Sequence, residues 1–369
     1  MKKTKKISKV IIFVLLFLMI FHKISSIFAI GQEASPTVGT YSSFYMEPEN
    51  SLQVVTLGNS RLTLGWNALS LWESNGIPSY DLSTFSQPGV FIKYLMEEVR
   101  KTQENPLFIV DVNCFRKDQV YLMSEANIRR VTDCLPFSKN KREMIEAALE
   151  LYPLAIDYQI EKNADDKEAV KKLIEDKENV SKLSYYWSFL KYHSRWRKLN
   201  EFDFTGKRNA FKSVIQYDAL FNVTPLEVPE LTTKTASLDE VQMALLNELL
   251  SYVKEKGINV LFVSLPARLH TEYAMQVNQI MTVLEGEGYT CLDFNKEERY
   301  QELGISFETD FSDRDHLNVA GSKKFMSYMG VYLTEHYTFT DQRGVAGFES
   351  WDEAVLAYDK YVEKMQQGS

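Results

Sequence analysis

Four short runs rich in apolar and β-branched residues, separated by helical segments, constrain the fold of this chain more than any other feature. They cover residues 52–57, 106–112, 258–265 and 290–294. None of them alternates regularly between apolar and polar residues, so each predicts a strand that is buried on both faces. Such strands are typical of a parallel sheet covered by helices. The sequence therefore predicts an α/β fold.

Helical patterns fill the spaces between these runs. The clearest predicts a helix over 238–256, begun by a capping box of Ser237 and Glu240 and ended by Gly257. Long charged stretches between about 136 and 235 predict a helical insertion, with solvated faces. Apolar residues at helical spacing predict an amphipathic C-terminal helix within 346–369. One α/β domain is thus expected over 51–345, followed by this helix.

The N-terminus predicts export and anchoring. Lysines at positions 2, 3, 5, 6 and 9 precede an apolar run over 10–21, and apolar character resumes over 24–30. A basic segment followed by a hydrophobic stretch is an export signal. We interpret 1–30 as an uncleaved transmembrane signal anchor, with the lysines inside, the domain outside and Lys23 near the outer interface. A cleaved signal peptide is the alternative. Residues 31–50, polar and rich in Gly, Pro and Ser, are interpreted as a linker.

Composition argues against several classes of function. The net charge is −8 although basic residues crowd the N-terminus, so the folded part is acidic and nucleic-acid binding is not expected. Three cysteines give neither a disulfide framework nor a metal-knuckle spacing. The five histidines are scattered. We therefore predict neither a metal site nor a cofactor.

Ser60 is the first candidate for chemistry. It follows the first predicted strand directly, after Gly58 and Asn59, and precedes a predicted helix. Active sites of parallel α/β folds lie at the carboxyl ends of strands. A serine there can expose its hydroxyl, and a helix N-terminus favours the negative charge of a tetrahedral intermediate. By itself Gly-Asn-Ser is a common triplet, and Ser60 as a helix N-cap is the structural alternative.

The second candidate is the segment 313–321, Asp-Arg-Asp-His-Leu-Asn-Val-Ala-Gly. Asp313 lies three residues before His316 in a loop that opens a helix. Nucleophilic serine chemistry needs a base and a carboxylate that orients it, and a short Asp-x-x-His turn supplies both. Asp315 is the competing carboxylate.

The two blocks resemble those of SGNH (GDSL-like) hydrolases, namely Gly-x-Ser after the first strand and Asp-x-x-His-Leu-Asn-x-x-Gly near the C-terminus. Further segments between about 45 and 340 resemble bacterial cell-surface SGNH proteins related to the D-alanyl-lipoteichoic acid transfer protein. These are Glu-Pro-Glu-Asn-Ser at 47–51, Ser-Tyr-Asp-Leu at 79–82, Gln-Pro at 87–88, Lys-Thr-Gln at 101–103 and Tyr-His-Ser-Arg-Trp at 192–196.

The resemblance implies a flavodoxin-like three-layer α/β/α fold and a triad of Ser60 as nucleophile, His316 as base and Asp313 as orienting acid. It also implies an oxyanion hole built from the N–H of Ser60, a glycine N–H and an asparagine side chain. Where relatives carry Ser-Gly-Gln, this chain has Phe85-Ser86-Gln87, so Ser86 and Gln87 are the substitute donors. Asn113 is the asparagine candidate, although the usual Gly-x-Asn-Asp is missing and a turn residue at a strand end is the alternative.

A polar and aromatic cluster in the insertion, His193, Arg195 and Trp196, is a candidate substrate-binding site, since arginine binds phosphate or carboxylate and tryptophan stacks on sugars. Anchoring of the insertion is the alternative. The resemblance implies acyl transfer, of acetyl or D-alanyl groups, to or from a cell-surface polysaccharide or teichoic acid, beside a membrane-bound O-acyltransferase. A free-standing carbohydrate deacetylase and a catalytically weakened glycan-binding or scaffold domain remain alternatives.

Overall fold

The structure, a computed structural model, describes residues 2–29, 37–205 and 209–367. Its first element is the helix α1 (Lys2–Ile27), which continues without a break through His22 and Lys23. The 22 residues Lys6–Ile27 make α1 long and apolar enough to cross a membrane, as predicted. No other helix in the described ranges has this property.

The second helix, α2 (Val38–Phe44), corrects the interpretation of 31–50 as a linker. Tyr41 and Phe44 are about 1% exposed and belong to the main core. The Tyr41 hydroxyl donates to the carbonyl of Leu82 at 2.9 Å, and that of Tyr80 donates to Thr40 at 2.9 Å. The segment 37–50 is therefore part of the domain, because its aromatic side chains are buried. Residues 31–36 of the predicted linker lie outside the described residues.

A five-stranded parallel sheet forms the centre of the molecule, so the predicted α/β class is confirmed. Its strands are β1 (Val54–Leu57), β2 (Ser79–Asp81), β3 (Leu107–Asp111), β4 (Val260–Ser264) and β5 (Cys291–Asp293). Four of them fall within the four predicted runs. The short strand β2 was not predicted. The order is β2-β1-β3-β4-β5, one of the common doubly wound orders.

The remaining helices follow in chain order. Between β1 and the insertion lie α3 (Ser60–Gly65), α4 (Ala68–Asn75), α5 (Ile92–Val99), α6 (Lys117–Val120) and α7 (Glu125–Thr132). The predicted insertion contains α8 (Lys139–Lys162), α9 (Lys167–Glu178), α10 (Lys182–Tyr186), α11 (Phe189–Tyr192) and α12 (Glu201–Thr205). The C-terminal part contains α13 (Glu240–Lys256), α14 (Thr271–Gly286), α15 (Glu297–Leu303), α16 (Val319–His336) and α17 (Glu349–Gln367).

Both faces of the sheet are covered. The chain steps from β1 to β2 in one direction and then passes back across β1 to reach β3. Because crossovers between parallel strands are right-handed, α4 and α5 lie on opposite faces. On one face α4 packs against α16 and α17, and on the other α5 packs against α8 and α13.

The start of α13 differs from the predicted one, and the predicted C-terminal helix is present as α17. The capping box of α13 is formed by Asp239 and Gln242, not by Ser237 and Glu240, because the helix begins two residues later than expected. The C-terminal helix α17 packs on the domain, where the Trp351 ring stacks on Trp72 at 5.4 Å. Positions 368 and 369 of the predicted C-terminal segment lie outside the described residues.

The topology creates a crevice at one place. In a doubly wound sheet, ligands bind beyond the carboxyl ends of neighbouring strands whose connections leave in opposite directions. Here those strands are β1 and β3. Ser60 follows β1 and Asn113 follows β3, so both lie at this edge.

Candidate active site

Ser60 is the first residue of α3, three positions beyond the end of β1. The turn between them is tight. A side chain at Gly58 would place its Cβ 2.8 Å from both Asp111 and Leu62, which explains the glycine. Asn59 is extended, and its side chain caps α3 by accepting the N–H of Arg61 at 3.1 Å. The N-cap is therefore Asn59, and the hydroxyl of Ser60 is left for other contacts.

The loop that carries Asp313 and His316 is held by its own backbone. Phe311 and Leu317 form an antiparallel bridge, and the N–H of Ser312 donates to the carbonyl of His316 at 3.0 Å. Inside this loop Asp313 Oδ1 accepts the N–H groups of Asp315 at 2.8 Å and of His316 at 3.1 Å. This turn brings the side chains of Asp313 and His316 into contact, although the two residues are three positions apart.

Ser60, His316 and Asp313 form a continuous hydrogen-bonded chain. His316 Nε2 lies 2.7 Å from Ser60 Oγ, and His316 Nδ1 lies 2.8 and 2.9 Å from the two carboxylate oxygens of Asp313. Partial burial acts to raise the pKa of Asp313. The hydrogen bond from His316, the charge of His316 and the hydrogen bonds from two backbone N–H groups act to lower it, and the resulting pKa is below the ordinary value. The carboxylate therefore stays charged and can orient the ring. This geometry suits a serine nucleophile with a histidine base.

The rest of the Leu-Asn-x-x-Gly motif has a structural explanation. Asn318 caps α16 by accepting the N–H of Gly321 at 3.0 Å, and its amide donates to the carbonyl of Thr309 at 2.7 Å. A Cβ at Gly321 would lie 2.3 Å from the carbonyl oxygen of Asp310. The motif thus fixes α16 against the base of the loop that holds His316.

We expect Gly321→Ala to lower the free energy of unfolding by about 1–3 kcal/mol, because α16 must move away from the Asp310 backbone. The matched control is Gly286→Ala at the end of α14, where the added Cβ meets nothing within 4 Å. That control should be neutral or stabilised by up to about 1 kcal/mol. Denaturant unfolding of both variants measures the difference. Equal stability of the two would contradict this role of Gly321.

Two backbone N–H groups are available as oxyanion donors. Those of Ser60 and Ser86 donate to no acceptor among the described residues. Ser86 adopts a positive φ of 51°, the left-handed conformation that glycine favours, and so reproduces the backbone of the missing glycine. The preceding Phe85 packs, like Val319, against a cluster that contains Leu64, which places this loop beside α3 and the start of α16.

Gln87 differs from Ser86. Its backbone N–H donates to the carbonyl of Thr84 at 3.3 Å and is not free. Its side chain is 1% exposed, and Nε2 finds no partner among the described residues. The amide group, rather than the backbone, is therefore the donor that Gln87 can offer.

The prediction of Asn113 as an oxyanion donor is wrong in this structure. Its amide nitrogen donates to Asp111 Oδ1 at 2.7 Å and to Ser264 Oγ at 3.1 Å, which uses both amide hydrogens. Its oxygen accepts from Arg61 at 2.7 Å and from Arg116 at 3.1 Å. The buried side chain of Asn113 thus connects the ends of β3 and β4 to Arg61 and Arg116.

These arginines were not among the predicted site residues. Arg61 is 5% exposed and bridges Asn113 to Asp315 Oδ1, the second contact at 2.9 Å. Asp315, the competing carboxylate, thus pairs with Arg61 and not with His316. Arg116 pairs with Asp118 at 2.8 Å. A signal for Arg61 was present in the sequence, since it is the one charged residue within positions 51–72.

The predicted substrate-binding cluster lies elsewhere. Arg195 donates to the backbone carbonyl of Ala29 and pairs with Asp203 at 2.7 Å, so its guanidinium anchors the insertion to the end of α1. The ring of His193 lies 6.1 Å from that of Phe189, and Trp196 is 61% exposed. Within the described ranges none of the three contacts the Ser60 triad. The contacts of Arg195 thus match the alternative of an anchor for the insertion, and substrate binding by His193 and Trp196 stays a prediction.

No protein-family model and no curated protein sequence matches this chain.

Proposed function

We propose that this chain is a membrane-anchored, extracytoplasmic serine esterase or acyltransferase of the SGNH type. The observation that carries the proposal is the hydrogen-bonded chain from Ser60 through His316 to Asp313. The strand order is that of flavodoxin-like folds, which supports the three-layer architecture expected of SGNH hydrolases. The two segments also meet at the carboxyl edge of the sheet, which supports this assignment.

The mechanism follows from the positions of the atoms. His316 Nε2 takes the proton of Ser60 Oγ while Oγ attacks the carbonyl carbon of an acyl ester. The N–H groups of Ser60 and Ser86 stabilise the oxyanion. When the tetrahedral intermediate collapses, the ester C–O bond breaks and His316 returns the proton to the leaving oxygen. The product is an acyl-Ser60, which water or a sugar hydroxyl then attacks by the same steps in reverse.

The substrate class rests on the motif resemblance and on α1. SGNH relatives of this branch act at the cell surface beside a membrane-bound O-acyltransferase. A helix that can cross the membrane, preceded by lysines, supports the same location here. We therefore propose acetyl or D-alanyl groups of a cell-surface polysaccharide or teichoic acid as the cargo of Ser60.

One observation favours a second candidate. The amide of Asn113 is fully used, so the asparagine donor that the resemblance implies is not available in this site. Loss of one such donor typically costs about 10²- to 10³-fold in rate. A weakened SGNH domain that binds glycans without turnover is the function that this observation favours.

Acylation of Ser60 tests the proposal. The full-length chain in detergent, treated with p-nitrophenyl acetate, is expected to release p-nitrophenol in a burst and to carry one added acetyl group at Ser60 by mass spectrometry. Ser60→Ala should lose both signals. Ser74→Ala is the control, because Ser74 is an exposed serine of α4 whose hydroxyl bonds only within its own helix. Absence of the adduct in the wild type, with glycan binding retained, would support the second candidate instead.

A further inference from the structure

The outer end of α1 is packed against the helical insertion. The ring of Phe21 lies 5.8 Å from Trp187 and 5.9 Å from Phe189, and the ring of Phe28 lies 5.1 Å from Phe189. The hydroxyl of Ser25 accepts the N–H of Phe189 at 3.0 Å. The last turns of α1 and the segment around α11 therefore form one packed unit.

The length of α1 fixes where this unit lies relative to a membrane. The side chains of residues 6–20 are all exposed, and Phe21 makes ring contacts with the insertion. At 1.5 Å per residue the stretch 7–20 is about 21 Å long, whereas 7–27 is about 31 Å long. The hydrocarbon core of a bilayer is about 30 Å thick. If α1 crosses it, the turns from Phe21 to Ile27 lie in the outer part of the membrane, together with the groups packed on them.

The insertion presents suitable chemistry at this level. Around the packed unit, Phe137, Leu190, Trp196 and Phe204 are between 45% and 61% exposed. We call these four residues the aromatic surface. The ring of Phe137 lies 5.4 Å from that of His22, and Arg195, next to Trp196, bonds to the carbonyl of Ala29, so the aromatic surface borders the end of α1.

Basic residues accompany the aromatic surface. Lys191, Arg197 and Lys198 are exposed, and the guanidinium of Arg197 lies 4.7 Å above the Trp196 ring. Aromatic rings and basic side chains together are characteristic of the membrane–water interface. Basic groups there also attract anionic headgroups.

We propose that the aromatic surface of the insertion docks into the outer leaflet of the membrane, as a second attachment beside α1. The occupant is lipid, and the surface is continuous with the helix that crosses the bilayer. This inference rests on α1 spanning the membrane, as in the proposed localisation, but is independent of the chemistry at Ser60.

Docking would also fix the distance between the membrane and the loop of Ser86. Lys191 pairs with Glu125 of α7 at 2.6 Å, and Arg130 of the same helix donates to the carbonyl of Phe85. A short series of contacts thus connects the aromatic surface to the loop of Ser86. The docked insertion would hold this loop at a constant distance from the membrane.

Quenching of Trp196 by lipid tests the proposal. The full-length chain is placed in nanodiscs of phosphatidylcholine and phosphatidylglycerol, with and without acyl-chain bromination. All variants keep three buried tryptophans, Trp66, Trp72 and Trp351, which are at most 2% exposed. The difference in fluorescence emission between Trp187→Phe and Trp187→Phe/Trp196→Phe therefore reports Trp196 alone. We expect brominated lipid to remove most of that difference emission.

Two further tryptophans, added to the Trp187→Phe/Trp196→Phe background, calibrate the result. Phe13→Trp on the exposed part of α1 should be quenched, which establishes that α1 is in the bilayer. Val228→Trp, 69% exposed in the segment that pairs with Phe307 beyond β5, should not be quenched. Quenching of the tryptophan at position 13 with no quenching of Trp196 would overturn the proposal. The proposal would also be overturned if Trp196 in nanodiscs remained accessible to iodide and became protected only after a membrane protein extract was added, because the occupant would then be a protein. Acylation of Ser60, measured on the same samples, reports the proposed function separately.

Discussion

Replacing His316 with alanine is expected to lower kcat for ester turnover by about 10⁴- to 10⁶-fold, nearly as much as replacing Ser60. The reason is the geometry: His316 Nε2 lies 2.7 Å from Ser60 Oγ, and among the residues that the structure describes no other base forms a hydrogen bond with this hydroxyl. Because the two residues act as one unit, the double variant Ser60→Ala/His316→Ala should be no slower than the worse single variant. Steady-state turnover of p-nitrophenyl acetate by the full-length chain measures all three.

A second histidine provides the control. His336, at the end of α16, is exposed and stacks on Tyr332 at 4.1 Å, with Nδ1 2.9 Å from the Tyr332 carbonyl. His336→Ala should keep wild-type kcat. A fully active His316→Ala enzyme would remove His316 from the mechanism, and additive losses in the double variant would show that Ser60 and His316 act separately.

The approach of Ser60, His316 and Asp313 could be predicted because the backbone around each of the two segments is determined by residues close to it in the sequence. Gly58 and Asn59 determine the turn and the cap in front of Ser60. Asp313 arranges its own loop by accepting the N–H groups of the two residues that follow Arg314. Such contacts extend over two or three positions and are therefore visible in a short stretch of sequence.

The surroundings of the triad could not be predicted in this way. Asn113 has the residue type and strand-end position of an oxyanion donor, yet its amide is used by Ser264, 151 positions later in the chain. Arg61 finds Asp315 at a separation of 254 positions. Pairings at this range depend on how the strands are ordered in the sheet, which no local pattern of residues specifies.

Composition also misled the interpretation of 37–50. Its Gly, Ser and Pro residues are typical of a linker, but Tyr41 and Phe44 are spaced one helical turn apart and are buried together. The strand β2 was missed for the opposite reason. Ser79, Tyr80 and Asp81 are too few and too polar to stand out, although all three are buried.

Replacing Arg61 with methionine is expected to lower the free energy of unfolding by about 3–5 kcal/mol, because it leaves buried charge without its partner. Arg61 is buried beside Asp111, and burial raises the pKa of that carboxyl while Arg61 and the hydrogen bonds of Asn113 act to lower it. Burial, together with the nearby Arg116, in turn lowers the pKa of Arg61, and Asp315 and Asp111 oppose this. Removing the guanidinium therefore disturbs the whole junction at the ends of β1 and β3.

Milder variants distinguish an effect of Arg61 on the stability of the fold from an effect on the position of the His316 loop. Arg61→Lys keeps one charge but lacks the planar fork that reaches Asn113 and Asp315 at once. Asp315→Asn affects only the partly exposed end of the same bridge, where the carboxylate is 48% exposed. Asparagine keeps an oxygen that can accept the hydrogen bond of Arg61, and Asp111 still lies beside the guanidinium, so this variant should lose less stability than Arg61→Met. If the bridge positions the loop of His316, both variants should lower kcat while leaving KM unchanged.

The control for these variants is Arg268→Met, which removes an ion pair with Glu227, whose carboxylate is 89% exposed. This pair should contribute less than about 1 kcal/mol, and its loss should leave kcat unchanged. Denaturant unfolding and steady-state kinetics on the four arginine and aspartate variants give the comparison. A folded Arg61→Lys enzyme with wild-type kcat would show that the serine and histidine segments need no bridge, because their own local turns then suffice to hold Oγ and Nε2 together.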